Sequence, residues 1–152
     1  MEEFFLEKKI IFKMHMLMAI MDKYLDNFLK KEMKISFSQF LMMIGIKYHK
    51  GCSQKRVADF YKMTEAAVSR QLEILEERGL IKKTKSGNKR EYSLILTNKG
   101  KKELLIAEKL SDNYIINFFS KTKKDEKEII NIFLSNSIKT DRFSKIGHCP
   151  IF

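Results

Sequence analysis

The stretch Thr64-Glu-Ala-Ala-Val-Ser-Arg-Gln-Leu-Glu-Ile-Leu-Glu-Glu-Arg-Gly-Leu-Ile81 decides how this chain folds. Val68, Leu72 and Leu75 fall at steps of four and three, which gives a helix over Glu65–Arg78 one apolar face. Thr64 is a residue type that accepts hydrogen bonds from the free amides at a helix start, and Gly79 sits where a helix would stop. Past Gly79 the period drops to two. Leu80–Lys85 and Glu91–Leu96 read as short strands, the second alternating Tyr92, Leu94 and Leu96 against Ser93 and Ile95. Between them Ser86-Gly-Asn-Lys-Arg90 is a polar, glycine-containing hairpin tip. Upstream, Ser53 is placed to cap a short helix through Met63 that turns Val57, Ala58 and Tyr61 inward.

Outward from this core the sequence is helical. Apolar residues from Phe4 to Phe28 recur at three- and four-residue steps, predicting a helix over Glu2–Lys31 whose apolar side is broad enough for two partners. A second helix starts after Ser36, with Phe37, Phe40, Leu41, Ile44 and Tyr48 as its inner stripe and Gly51 at its end. Thr97 caps a long helix to about Lys121, Lys124–Ser137 forms a last one, and Thr140–Phe152 reads as an irregular tail. The expected class is mainly α with a small β-wing. Residues 36–100 form a winged helix-turn-helix core, residues 1–34 and 101–138 the flanking long helices, and 139–152 the tail of a single unit. One proline, Pro150, and six glycines suit long helices better than an all-β fold.

Charge points to the same region. The 152 residues carry a formal net charge of +11, and residues 53–102 hold 13 Lys or Arg against 6 Asp or Glu. A basic excess gathered in one third of a chain suits a polyanionic partner. Two cysteines, Cys52 and Cys149, are too few for a disulfide scaffold. The acidic start Met1-Glu-Glu is unlike a signal peptide, and Lys13 and His15 break the apolar run Ile10–Ile20. The expectation is a cytoplasmic protein with no membrane partner.

Two short helices followed by a basic hairpin form a device for reading duplex DNA. The second helix must be apolar inside and small and polar outside near its N-terminus, because bulk there would hold the backbone off the bases. Ala66 and Ala67 permit close approach, while Ser69, Arg70 and Gln71 supply donors and acceptors for base edges or phosphate. Thr64 and the helix N-terminus can take a backbone phosphate, and Ser53 marks the equivalent start of the bracing helix. On the hairpin, Lys82, Lys83, Lys85, Asn88, Lys89 and Arg90 suit an arm along the backbone or in the minor groove. The plainer alternative is a solvated helix face and an edge hairpin kept soluble by lysine. The direct succession of the two elements favours DNA.

These residues resemble the MarR-type winged helix regulators. The resemblance rests on Val68–Ile81 with its Leu-Glu-x-x-Gly-Leu-Ile ending, on the wing Asn88-Lys-Arg90 six residues before Leu96-Thr97 and Asn98-Lys-Gly100, and on the long helices at both ends. It spans about residues 5–138. The family wing usually reads Asp-x-Arg; Asn88 keeps a hydrogen-bond acceptor but not the charge, so Arg90 loses a charged partner. The resemblance implies a homodimer interlocked through the first and last two helices, reading a pseudo-palindromic operator, most often to repress.

Family members that sense peroxide place their cysteine where this chain has Met14 and His15. Cys52, beside Lys50, Lys55 and Arg56, reads better as a small residue at a helix junction than as an activated thiol. Zinc-responsive relatives carry histidines on the fifth helix, and none occurs between Thr97 and Lys121. Neither His49 with Cys52 nor His148 with Cys149 has metal-ligand spacing, so no metal and no cofactor are expected. Met14, Met16, Met18, Met21, Met42 and Met43 could line a pocket for a small-molecule effector, although core packing is the commoner use of methionine at such spacing. No phosphate loop, nucleophile elbow or His-x-x-x-His pair marks an enzyme. The remaining alternative is a winged helix protein-interaction adaptor without an effector or specific DNA binding.

Overall fold

In a computed structural model, which describes residues 2–49, 51–85 and 92–139, the order is α1 (Glu2–Met33), α2 (Phe37–Tyr48), α3 (Gln54–Tyr61), α4 (Glu65–Glu77), β1 (Ile81–Lys85), β2 (Tyr92–Leu96), α5 (Asn98–Phe118) and α6 (Lys124–Lys139). The expected hairpin tip, the start of the second strand at Glu91, the irregular tail and Cys149 lie outside the described residues. No described helix is long and apolar enough to cross a membrane.

Each boundary has a local cause. Ser36 caps α2 by accepting from Gln39 N at 3.1 Å while Gln39 Oε1 accepts from Ser36 N at 2.9 Å, a reciprocal capping box. Asp26 of α1 adds a third bond there, its Oδ1 accepting from Phe37 N at 3.0 Å. Ser53, Thr64 and Thr97 cap α3, α4 and α5 through the hydroxyl alone, accepting from Arg56 N, Ala67 N and Gly100 N. At the end of α4, Gly79 takes φ +69°, with Gly79 N donating to Glu76 O at 2.8 Å and Leu80 N to Leu75 O at 2.9 Å. This Schellman closure turns the chain directly into β1.

The core lies among α2, α3, α4, the base of the two-stranded sheet and the start of α5. Val68, Leu72 and Leu75 are fully buried against Val57 and Ala58 of α3, Met42 and Met43 of α2, and Leu80, Ile81 and Leu94. The inner stripe expected for α2 is too narrow. Met42, Met43, Gly45 and Ile46 are buried besides Phe40 and Ile44, Phe37 and Leu41 are half-buried, and Tyr48 is exposed. The reason is placement: α2 is packed on by α1, α4, α5 and β2, so nearly its whole circumference is inside. In the antiparallel sheet Ile81 faces Leu96 and Lys85 faces Tyr92. Leu94 and Leu96 are buried in the core, but Tyr92, at the outer end of the ribbon and away from the core, is exposed. Cys52 forms a single bridge to Leu94, whose N donates to Cys52 O at 2.8 Å, and so anchors the ribbon to the start of α3.

Candidate nucleic-acid interface

α3 and α4 meet at a three-residue turn, Lys62–Thr64. Lys62 adopts a left-handed conformation at φ +52°, and Met63 N donates to Ala58 O at 3.0 Å. The turn sets Thr64 at the head of α4, its hydroxyl accepting from Ala67 N at 3.2 Å. The apolar stripe of α4 faces α3, so Glu65, Ala66, Arg70, Glu73 and Glu77 are exposed. This outer face is mixed. Its N-terminal half carries Ala66, Ala67 and Arg70 with one carboxylate, Glu65, and its C-terminal half carries Glu73 and Glu77, which would repel a polyanion. The small side chains make the first two turns the part able to approach another backbone closely.

The residues expected from sequence fall into three groups. Thr64, Ala66, Ala67 and Arg70 lie together at the exposed head of α4, with Ala67 partly covered. Ser69 is next to them, but its hydroxyl donates to Glu73 Oε1 at 3.0 Å. Gln71 is turned toward α2 instead, where its Oε1 accepts from Gln39 Nε2 at 3.0 Å. Ser53 is half-buried and its hydroxyl accepts from Arg56 N at 3.3 Å, capping α3. Lys85 stands exposed at the outer end of β1, opposite Tyr92. Asn88, Lys89 and Arg90 lie outside the described residues.

Exposed cations lie on two elements that adjoin α4, with Asp59 among them on α3. Lys55, Arg56 and Lys62 are exposed on α3 and its turn, and Lys82, Lys83 and Lys85 on β1. Lys83 also pairs within the chain, its Nζ 2.9 Å from Glu76 Oε2, which ties the ribbon to the far end of α4. Gln39, Arg78 and the Lys83–Glu76 pair were not singled out from sequence. For Gln39 the signal was readable, since Ser36 with Gln39 three residues later is a capping-box pattern. The other two join segments that only folding brings together.

The sensor candidates are spread apart. Met42 and Met43 are spent on the core, whereas Met16 and Met18 are exposed on α1. Cys52 is 2% exposed, and burial pushes its thiol up although the nearby Arg56 charge opposes the shift. A thiol held in the protonated form is a poor nucleophile. Among the described residues no group of three or more His, Cys, Asp or Glu gathers as a metal site would require.

A braced helix with a small polar head, followed by a two-stranded ribbon, defines a winged helix-turn-helix protein. Residues 35–92 match the model of the MarR family, and the chain is MarR-like both in that segment and in its fold. The transcriptional regulator BldR from Sulfolobus solfataricus superposes with a TM-score of 0.77 at 22% identity, covering 90% of this chain and 99% of that one. A MarR transcriptional regulator from Methanosarcina mazei Go1 gives 0.72 at 22%, covering 87% and 98%. The MepR–DNA complex from S. aureus gives 0.72 at 21%, covering 85% and 95%. No curated protein sequence matches the chain. The superpositions extend the likeness beyond residues 35–92 to the long flanking helices, as the sequence motifs imply.

Proposed function

We propose that this chain is a sequence-specific, homodimeric transcriptional regulator, acting as a repressor by occupying a pseudo-palindromic operator. The observation that carries the reading is the capped, exposed head of α4, where Ala66, Ala67 and Arg70 sit together beside a single carboxylate, Glu65, with exposed cations on the adjoining α3 and β1. Thr64, Ala66, Ala67, Ser69 and Arg70 enter the major groove, with Arg70 as the base reader and the α4 N-terminus on a phosphate. Gln71, expected from sequence to contact DNA, is held by Gln39 and orients the helix from behind. Ser53, Lys85, Asn88, Lys89 and Arg90 engage the backbone on either side, the wing reaching toward the minor groove. One similar structure, MepR of S. aureus, is described as a complex with DNA, which supports the same use of the fold here.

The dimer reading is supported by apolar surface. Ile11, Phe12 and Met18 of α1, Ile106 and Ile116 of α5, and Ile129 and Ile132 of α6 are at least half exposed in the single chain. A surface of this kind on three helices suits a second copy. The pair would set two recognition helices about one DNA turn apart. A small molecule lodged between the core and the long helices would release DNA by changing that separation.

Equilibrium binding to random-sequence duplex over a salt series tests the reading. Affinity that falls steeply with salt is expected, and no measurable affinity at low salt would exclude it in favour of an adaptor. Arg90→Ala should weaken binding to all sequences and lower the salt slope by about one.

A further inference from the structure

Arg78 carries an inference beyond the DNA-facing residues. It follows α4 directly, and its guanidinium donates through Nη1 to Lys34 O and through Nη2 to Met33 O at 3.1 Å. Nη2 also lies 3.5 Å from Glu103 Oε2 of α5, and the Arg78 carbonyl accepts from Lys99 Nζ at 2.7 Å. Met33 and Lys34 close α1, where the last carbonyls have no partner inside the helix. Lys34 turns the chain at φ +57°. A cation at that end also meets the negative pole of a helix of 32 residues. One planar fork thus joins the end of α1, the end of α4 and the first turns of α5.

Apolar packing of Val68, Leu72 and Leu75 holds α4 in place but sets its crossing angle only to within about 15–20°. Directional bonds refine that angle at several points: Gln54 Nε2 donates to Glu65 O at the head of α4 at 3.4 Å, Gln39 holds its middle to α2 through Gln71, and Lys83 pairs with Glu76 near its end. Among them the Arg78 fork is the one that ties α4 to α1. In a two-fold dimer built on α1, a small tilt of each α4 becomes a change in the distance between the two heads.

We propose that Arg78 is a positioning residue that sets the angle of α4 against α1, and through it the half-site spacing the dimer accepts. The proposal rests on the DNA reading above. Lysine cannot replace it, since a single ammonium lacks the fork that spans two carbonyls and a carboxylate.

The experiment compares wild type, Arg78→Lys and Arg78→Gln on a duplex that wild type selects from a random pool. The same duplex is also made with its half-sites moved one or two base pairs closer or apart. Affinities are taken over a salt series, with melting temperatures in parallel. Both variants should lose about tenfold in affinity at the selected spacing. They should keep the half-site sequence preference and the salt slope, and discriminate between spacings less sharply. Wild-type behaviour of Arg78→Lys overturns the proposal, as does a salt slope lowered by about one, which would make Arg78 a phosphate contact. An equal loss at every spacing, in step with melting, also overturns it. Should either variant unfold, Glu103→Gln removes one anchor of the fork and leaves both carbonyl bonds. Its spacing preference should broaden, and an unchanged preference overturns the proposal. If wild type itself binds no duplex, the DNA reading falls and this proposal with it.

Discussion

Gly100 shows how a single residue can hold two elements together. A Cβ built there would stand 1.9 Å from Leu80 O, so any side chain must push the start of α5 off the turn into β1. The neighbouring Thr97 hydroxyl donates to Gly79 O at 2.6 Å, and Thr97 N donates to Leu80 O at 3.0 Å, so the same approach is stapled by hydrogen bonds. Gly100→Ala should cost about 3 kcal/mol, the upper part of the range for overpacking, because the obstacle is backbone. Thermal or denaturant unfolding measures it, and a loss below about 1 kcal/mol would show that the turn yields. Asp26 makes a pH-dependent contribution. Partial burial raises its carboxyl, but hydrogen bonds from Lys30 and from Phe37 N–H, with the Lys30 charge, outweigh that and leave it below its ordinary value. A carboxyl lowered in the folded state adds stability in full at neutral pH and loses it as pH falls through the folded value. Asp26→Ala should therefore cost about 1 kcal/mol at pH 7, with the deficit closing in acid. A deficit constant over that window would mean that the charge is not what matters. Cys52, buried and shifted upward, should resist thiol alkylation in the native protein and react on unfolding, measured with Cys149 replaced by serine.

Among the elements, α4 was legible in the sequence almost to its ends, and the reason is local. Thr64, the steps Val68–Leu72–Leu75 and Gly79 each act within one or two turns of themselves, so cap, face and stop could be read without a fold. α2 was legible only as a helix. Its burial by four neighbours is a tertiary fact, and so its half-exposed Tyr48 and buried Gln39, 5% accessible, were not foreseen. The candidate site divides in the same way. Ala66, Ala67 and Arg70 could be placed by periodicity, while the pairing of Gln71 with Gln39 across 32 residues could not. On the proposed reading the head of α4 must be small, and this separates binding from stability. Ala66 is exposed, and leucine is nearly as good a helix former as alanine, so Ala66→Leu should leave melting almost unchanged. Its added bulk should hold α4 off the groove and lower operator affinity by roughly tenfold or more. Unaltered binding would place α4 elsewhere on the DNA. Arg70→Ala should instead change which base is preferred at one position, at a cost of about 1–3 kcal/mol for the favoured base.

At the scale of the whole molecule, the single chain buries its winged helix core well and its long helices poorly. Within the chain α1 buries Leu25 and Leu29 and meets α5 through the rings of Tyr24, Phe28 and Tyr114, with Phe28 and Tyr114 centred 5.7 Å apart. Away from that seam the apolar side chains face outward, Ile11 and Ile129 at 67% and Ile116 at 65% exposure. Apolar area left in water at about 25 cal/mol per Å² is a standing incentive to associate. The broad apolar side of α1, read from sequence as a sign of two partners, packs on α2 and α5 within the chain and still leaves Ile11, Phe12 and Met18 in water. Placing a carboxylate on the outward apolar surface should be decisive, because an unpaired charge in an apolar interface is far more costly than one on a wet surface. Ile116→Asp with Ile129→Asp should shift the protein from dimer to monomer in sedimentation equilibrium and lower its melting temperature. In wild type that temperature should rise with protein concentration, as it does when assembly stabilises the fold. The monomer would keep one α4 and one wing, so its salt slope on DNA should fall to about half that of the dimer. A variant that stays dimeric at full affinity would move the interface off α5 and α6, and with it the geometry by which two recognition helices reach one operator.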